Sequence, residues 1–194
     1  MSLSPLRIVV SSTAGGVGTT TLTALLFDLL SAPSGVPSLA DHTSGDLGAR
    51  LPRGDDAEVI DADLLLHDLG PHADGEGLDL LESPTTLAVL VTANTPLGLL
   101  AVTGVLEAIR KRYGQAGLAR VTVVCTSTFG RPRTRALVEA VHTTYGRGII
   151  LVIPHDPALA GPGRIPTHRL HRRTVAAADL VARRIRSLIG LYRR

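Results

Sequence analysis

The sequence predicts an α/β fold in which one doubly wound, mostly parallel sheet carries helices on both faces. Six short apolar runs alternate with segments of helical periodicity, and strands without internal polar alternation are typical of a parallel sheet covered on both sides. A glycine-rich loop joins the first strand to the first helix. The chain has 194 residues, of which 44% are hydrophobic, and it shows neither repeats nor a linker. We therefore predict a single domain over residues 1–194.

The first strand, loop and helix form the most informative unit of the chain. A β-branched run at 8–10 predicts a buried strand, and residues 20–30 have helical spacing. The loop between them contains Gly15, Gly16 and Gly18. Glycines let backbone N–H groups converge on a phosphate, and the helix N-terminus adds partial positive charge. This unit therefore has the construction of a phosphate-binding loop.

The loop departs from the usual phosphate-loop pattern, Gly-x-x-x-x-Gly-Lys-Ser/Thr. Thr13 occupies the position of the first glycine, and Thr19 occupies that of the lysine. A glycine-rich turn without lysine also fits a tight strand-to-helix connection that needs glycine only for its backbone conformation. Both interpretations stay open on the residues of the loop alone.

The remaining segments continue the alternation of strands and helices. Further strands are predicted at 38–41, 64–68, 86–92, 121–126 and 149–153. Helices are predicted at 96–113, at 133–145 and from 166 or 167 to 192. The first of these helices should bury Leu99, Leu100, Val102, Val105, Leu106 and Ile109, and the last should bury Leu180, Val181, Ile185, Leu188 and Ile189. Ligands of such sheets bind at the carboxyl ends of the strands.

Composition excludes several classes of protein. No apolar run approaches the ~20 residues that a membrane-spanning helix needs, and the first residues lack the basic start and apolar stretch of a secretory signal. The single cysteine, Cys125, excludes an internal disulfide. It lies in an apolar strand, where we expect a buried apolar side chain and not a nucleophile. These features favour a cytoplasmic protein.

Four segments resemble the ParA/MinD family of P-loop proteins, the deviant Walker A group of partition and cell-division ATPases. The family pattern Lys-Gly-Gly-x-Gly-Lys-Thr-Thr overlays residues 14–21, and its Asp-x-Asp turn overlays 41–43. Its Walker B strand overlays 64–68, and its Ile-Pro-x-Asp element overlays 153–156. The matches span nearly the whole chain in the family's order, so the resemblance implies a P-loop NTPase-like fold.

The resemblance also implies which residues would bind a nucleotide. ATP or ADP would contact the loop and helix start, and Mg²⁺ would be bound by Thr20 and the Walker B acid Asp68. The full implied set is Gly15, Gly16, Val17, Gly18, Thr19, Thr20, Thr21 and Asp68.

Several charged groups of the family are missing from this site. The lysine that reaches a phosphate across the dimer is replaced by Ala14, and the P-loop lysine by Thr19. The family's switch aspartate would fall near Thr43. Its asparagine that recognises the adenine edge would fall near Thr126 or Ser127.

Hydrolysis is therefore not expected. Phosphoryl transfer depends on positioning and charge stabilisation, and losing one such contact costs ~3–4 kcal/mol of barrier. We expect a non-hydrolysing interaction or positioning module in cell division, partitioning or secretion, with a protein partner. The alternative is a working ATPase, or weak nucleotide binding through loop N–H groups. The only lysine is Lys111, so Arg50 or Arg53 would have to replace the missing ones.

The overall charge of +3 conceals a strong asymmetry. Residues 1–92 carry 13 acidic residues and 3 arginines, whereas residues 93–194 carry 17 basic and 4 acidic residues. This distribution predicts a basic face. Its candidate members are Arg131, Arg133, Arg135, Arg169, Arg172 and Arg173. Nonspecific DNA contact, peripheral membrane contact through the last helix, and a homodimer are the further partners to consider, although packing of that helix on the domain is favoured.

The histidines and serines do not form a recognisable catalytic or metal pattern. His168 and His171 are one turn apart but lie among arginines, which repel a cation. His67 and His72 flank the Walker B acid without metal-ligand spacing. The nucleophile-elbow pattern Gly-x-Ser-x-Gly is absent from the sequence. No metal site beyond the Mg²⁺ of a bound nucleotide is expected.

Overall fold

The computed structural model describes residues 5–31, 35–43, 47–52, 60–127 and 134–192. Its strands are β1 (Leu6–Ser12), β2 (Val36–Asp41), β3 (Ile60–Gly70), β4 (Thr86–Ala93), β5 (Val121–Thr126) and β6 (Ile150–Ile153). Its helices are α1 (Thr19–Leu30), α2 (Leu47–Arg50), α3 (Glu76–Asp79), α4 (Pro96–Leu118), α5 (Arg135–Tyr145), α6 (Pro157–Ala160) and α7 (Arg172–Tyr192). Short 3₁₀ turns follow α3 at Leu80–Glu82 and precede α7 at Thr167–Arg169. Every strand and helix predicted from the sequence is present, with different boundaries in several cases.

The six strands form one sheet in the order β2-β3-β1-β4-β5-β6, and every neighbouring pair is parallel. β1 lies between β3 and β4, at the point where the strand order reverses. The glycine loop follows the carboxyl end of β1, which is where ligands bind in doubly wound sheets. The predicted fold class is confirmed.

Each face of the sheet has its own apolar core. On one face, α1 and α7 pack on the strands, with Leu26 and Val181 among the buried residues. On the other face, α4 and α5 pack on the strands, with Leu106 and Val141 among the buried residues. Cys125 lies in this second core, and burial raises the pKa of its thiol to about 12. The thiol is therefore protonated at neutral pH, as expected of a buried apolar residue.

The prediction of burial is wrong for two residues. Leu100 of α4 is 69% exposed and Leu180 of α7 is 49% exposed. The other predicted positions of α4 and most of those of α7 are buried, which means that each helix buries a narrower face than the apolar pattern suggested. Val181, Ile185 and Leu188 pack in the core that α1 and the sheet share. The last helix therefore packs on the domain, as favoured from the sequence.

Helix boundaries differ where backbone groups find other partners. The predicted end of α4 at 113 coincides with a break at Gly114 (φ 63°, ψ −157°), after which the helix continues to Leu118. The start of α7 is five or six residues later than predicted. The Asp156 carboxylate accepts the His171 N–H at 2.8 Å, which fixes the chain just before Arg172. Among the described helices, none is long and apolar enough to cross a membrane.

Candidate functional site

The glycine loop has the backbone conformation of an anion-binding loop. Gly16 (φ 74°) and Gly18 (φ 91°) adopt left-handed conformations that other residues rarely take. Gly18 precedes α1, and no side chain caps the helix N-terminus. Alternation of left-handed and ordinary residues turns successive N–H groups toward one side, where they can receive an anion. Gly16 and Gly18 therefore take up backbone conformations that such a loop requires.

Hydroxyl groups at the strand ends hold the loop in place. The Ser12 hydroxyl donates toward the carbonyl oxygens of Ala14 (3.0 Å) and Gly70 (3.2 Å). The Thr126 hydroxyl donates to the carbonyl oxygen of Val17 at 2.7 Å. Thr13, at the position of the missing first glycine, places its hydroxyl 2.9 Å from that of Thr92. These bonds join the loop to β3, β4 and β5 without any ligand.

The two positions that lack lysine differ in their surroundings. Ala14 is exposed on the loop, whereas Thr19 is buried at the start of α1. The Thr19 carbonyl accepts a hydrogen bond from the Thr23 hydroxyl at 3.0 Å, inside the first turn of the helix. Neither position supplies positive charge to the loop. A phosphate here would rely on backbone N–H groups and the helix dipole alone.

Arg50 is the one basic side chain that the structure brings to the start of α1, within the described residues. Its Nη2 donates to the Thr21 hydroxyl and to the Leu159 carbonyl, both at 2.9 Å. Its Nη1 donates to the carbonyls of Gly161 and Gly163. Burial lowers the pKa of Arg50, but a guanidinium stays charged at neutral pH. Arg50 therefore reaches the loop helix, yet both of its terminal nitrogens already have acceptors. Arg53, the other candidate replacement for lysine, lies outside the described residues.

Asp68 is fully buried at the end of β3, close to the loop. Burial raises the pKa of its carboxyl. The nearby Thr20 hydroxyl and the Gly70 N–H lower that pKa by a smaller amount. Oδ1 accepts the Gly70 N–H at 3.1 Å, and Oδ2 has no hydrogen-bond partner among the described residues. The structure thus brings Thr20 and Asp68 together, as the resemblance implies.

Thr20 and Asp68 fit Mg²⁺ only in the company of phosphate oxygens. Mg²⁺ takes about six oxygen ligands in octahedral geometry and in proteins commonly binds one or two side chains plus substrate phosphates. The described residues contain no cluster of three or more His, Cys, Asp or Glu side chains that could hold a metal by themselves. The orphaned Oδ2 of Asp68 is the atom that a bound cation would contact.

Two histidines lie beside Asp68, where the family has its switch residues. His42 Nε2 and His67 Nδ1 are 2.8 Å apart, and the two rings are stacked. Burial, with further contributions from His42 and Arg7, lowers the pKa of His67 to about 4. His67 is therefore neutral at pH 7, and one of the two nitrogens donates to the other. Thr43, in place of the switch aspartate, binds the Asp41 carboxylate through its N–H (2.9 Å) and its hydroxyl (2.8 Å).

A pocket of about 260 Å³ opens beside the loop, which we call the loop pocket. Its walls are the loop itself, the first turns of α1, the end of β5 and the segment from β6 to α6. The lining residues are Gly16, Val17, Gly18, Thr21, Leu22, Leu25, Thr126, Ser127, Ile153, Pro154, His155, Asp156, Leu159 and Ala160. Predicted loop residues and the Ile-Pro-x-Asp element therefore meet in one place. The volume is small for a cofactor site, since such pockets typically measure about 300–1,000 Å³.

A buried polar network at the pocket's edge was not predicted from the sequence. Asn94 donates from Nδ2 to the Ser127 hydroxyl (3.1 Å), and its Oδ1 accepts from the Thr134 hydroxyl (2.6 Å). Asn94 lies directly after β4 and is buried. A single polar residue after an apolar strand was the only sign of it in the sequence. Because its amide is already bonded on both sides, Asn94 positions Ser127 and does not present a free edge to a ligand.

The predicted basic face is divided by the fold. Arg135 is exposed at the start of α5, whereas Arg169, Arg172 and Arg173 are exposed at the start of α7. The two helices pack on opposite faces of the sheet. Arg131 and Arg133 lie outside the described residues. The part of the basic group that the structure brings together is the one before and within the first turn of α7.

Comparison with solved structures supports the same fold. The chain is similar to a ParA family ATPase from Chlorobium tepidum TLS, with a TM-score of 0.57 and 13% sequence identity, over 92% of this chain and 91% of that chain. No protein-family model matches the sequence, and no curated protein matches it significantly. The predicted ParA-like fold is confirmed. At this level of identity the similarity concerns the fold, and function must be argued from the site.

Proposed function

We propose that this chain is a ParA/MinD-like protein whose nucleotide site has lost turnover, and that it acts as a non-hydrolysing interaction module for a protein partner in cell division, partitioning or secretion. The observation that carries the proposal is the contrast within the loop. Gly16 and Gly18 keep the anion-binding backbone, while Ala14 and Thr19 leave it without side-chain charge. Transition-state charge on a phosphoryl group would have no lysine to stabilise it.

The segment after Asp68 supports a static role. In a nucleotide switch, this segment has to move when the γ-phosphate is lost. Here the Tyr113 hydroxyl of α4 donates to the Leu78 carbonyl of α3 at 3.0 Å. Arg112 and Asp79 form an ion pair at 2.5 Å between the same two helices. The Tyr113 bond joins α3 to a helix that packs on the sheet, whereas the exposed ion pair adds little to this attachment. Neither contact involves a ligand.

Nucleotide binding without turnover is the second candidate function, and one observation favours it. The carboxylate oxygen Oδ2 of Asp68 is buried without a partner beside Thr20, and a buried unpaired carboxylate oxygen is costly unless an occupant compensates it. A Mg²⁺–nucleotide complex would provide that occupant. Arg50 would supply the only nearby positive side chain among the described residues.

Titration calorimetry with Mg-ATP and Mg-ADP separates the two candidates. We expect no binding heat for the native protein up to about 1 mM ligand, which corresponds to a binding free energy weaker than about −4 kcal/mol. Thr19→Lys should restore binding, because it returns a cation to the loop. Thr19→Gln is the matched control, because it adds similar length without charge at the same buried position. Micromolar binding by the native protein would overturn the proposal of a silenced site and favour the second candidate.

A further inference from the structure

A second pocket lies on the other side of α6 from the loop pocket, and it is basic. It measures about 550 Å³, and we call it the basic pocket. Its lining residues are Asp156, Pro157, Ala158, Gly161, Pro162, Arg164, Pro166, Arg169 and His171. Only Asp156 is shared with the loop pocket. A ligand could therefore occupy it without touching the glycine loop.

Among the described residues, the lining of the basic pocket carries two arginines and one carboxylate. Arg164 and Arg169 are exposed, and neither forms an ion pair among the described residues. The sequence contains no Asp or Glu from 157 to 178. Arg172 and Arg173 follow directly and are also exposed. Within the described residues, the pocket therefore combines a concave shape with an excess of positive charge.

The one described acidic residue that lines the pocket, Asp156, already binds groups of this chain. The Asp156 carboxylate accepts the N–H groups of Ala158 (3.0 Å) and His171 (2.8 Å), and it lies 3.5 Å from the His171 imidazole. Burial acts to raise the pKa of Asp156, but the N–H groups of His171 and Ala158 and the nearby Thr174 hydroxyl together lower it. It is therefore a buried, ionised anchor of the backbone. The Arg164 and Arg169 guanidinium groups remain available to an incoming anion.

The walls of the basic pocket are held before any ligand arrives. Pro157, Pro162 and Pro166 restrict the backbone, and Asp156 caps α6 through the Ala158 N–H. Arg50 fixes the carbonyls of Gly161 and Gly163 from the other side. A preformed site loses less conformational entropy on binding than a flexible one. The proline and alanine side chains also present apolar surface next to the arginines.

From this arrangement we infer that the basic pocket docks an acidic peptide segment of a protein partner, with its carboxylates on Arg164 and Arg169 and an apolar side chain against the prolines. Arginine binds carboxylates through paired, charge-assisted hydrogen bonds. Pro157, Pro162 and Pro166 stand beside the arginines and offer apolar contact to a peptide side chain, which a phosphate backbone would leave unused. The inference rests on the proposed role as an interaction module.

Fluorescence anisotropy with a defined probe tests the inference. The probe is a fluorescein-labelled twelve-residue peptide of four Glu-Glu-Leu repeats, and a peptide of four Gln-Gln-Leu repeats is its neutral counterpart. We expect saturable binding of the acidic peptide alone, weakened about tenfold or more by Arg164→Gln with Arg169→Gln. The matched control is Arg183→Gln, an exposed arginine of α7 that does not line the pocket. It should leave the affinity within about twofold.

Competition with unlabelled anions shows which kind of anion the basic pocket prefers. Duplex DNA and inorganic phosphate should displace the acidic peptide poorly. The inference is overturned if the acidic peptide does not bind saturably, or if the Gln-Gln-Leu peptide binds equally well. It is also overturned if the two pocket substitutions weaken binding no more than Arg183→Gln does, or if DNA displaces the probe better than the unlabelled acidic peptide does. Thermal unfolding confirms that each variant is folded, and the single substitutions replace the pair if it is not. Nucleotide calorimetry on the same samples measures binding at the glycine loop independently of the peptide assay. A negative peptide result can therefore be distinguished from failure of the proposed function.

Discussion

At the residue scale, Arg120 shows how much backbone one buried side chain can organise. It directly precedes β5 and is nearly inaccessible to solvent. Nη1 donates to the carbonyls of Ser83 (2.6 Å) and Thr86 (3.3 Å), and Nη2 donates to that of Leu81 (2.8 Å). The turn that leads from α3 into β4 is thereby fixed to the start of β5. A buried charge of this kind is tolerated because carbonyl oxygens surround it.

Replacing Arg120 by Met should lower the free energy of unfolding by about 2–4 kcal/mol. Methionine retains much of the packing volume but leaves several buried carbonyls without a donor, and each such loss costs about 1–3 kcal/mol before relaxation. Urea denaturation measures the change. Arg110→Met is the control, because its pair with Glu107 is exposed and such pairs are worth less than about 1 kcal/mol. Equal effects of the two substitutions would show that the carbonyl cage is not what stabilises this turn.

The sequence pointed to Arg50 as a basic residue near the loop, but it could not reveal the hydrogen-bond partners of Arg50, Arg120 or Asn94. Each acts on backbone or hydroxyl groups far away in the chain, and isolated polar residues at helix or strand ends carry no spacing that predicts such partners. Thr20 and Asp68 could be named because a known pattern places one at the start of the helix after β1 and the other near the end of β3. The burial of Leu100 was predicted wrongly because hydrophobicity marks a side of a helix without giving the width of its partner.

At the element scale, the ends of the helices and strands depend on which acceptors the backbone N–H groups find. The parallel strands were predictable because burial on both faces demands continuous apolar runs. The start of α7 was not predictable, because it depends on Asp156 accepting the N–H of His171, a residue fifteen positions later and beyond α6 and a 3₁₀ turn. The same segment, from α6 to the 3₁₀ turn before α7, forms walls of both pockets. Its position on the domain is therefore the element-level feature on which both proposals depend.

Arg50→Met should loosen that segment without unfolding the sheet. The side chain joins Thr21 of α1 to the carbonyls of Leu159, Gly161 and Gly163. Without it, we expect at least several-fold faster amide hydrogen exchange across 158–165 in the absence of any ligand, because local opening no longer breaks these bonds. Arg183→Met, on the exposed side of α7, should leave that exchange unchanged. Unaltered exchange in Arg50→Met would mean that the arginine serves a ligand instead of the fold.

At the scale of the whole molecule, the carboxyl edge of the sheet carries different chemistry along its length. Around β1 and β3 lie the loop, Asp68 and the paired histidines His42 and His67. Past β6 lie the basic pocket and the first turn of α7. The charge asymmetry seen in the sequence therefore survives folding in part, with arginines grouped at the β6 side.

The loss of charge predicts that nucleotide does not control association of the chain. If two copies met loop to loop around two triphosphates, the phosphates would repel each other, and neither Ala14 nor Thr19 could offset that repulsion. We therefore expect size-exclusion chromatography with light scattering to give the same molar mass with no nucleotide, with Mg-ADP and with Mg-ATP. Ala14→Lys combined with Thr19→Lys should gain a mass increase specific to Mg-ATP, whereas Ala14→Gln with Thr19→Gln should not. An ATP-dependent increase in the native protein would show that other residues replace the lysines, and Arg50 would be the first to test.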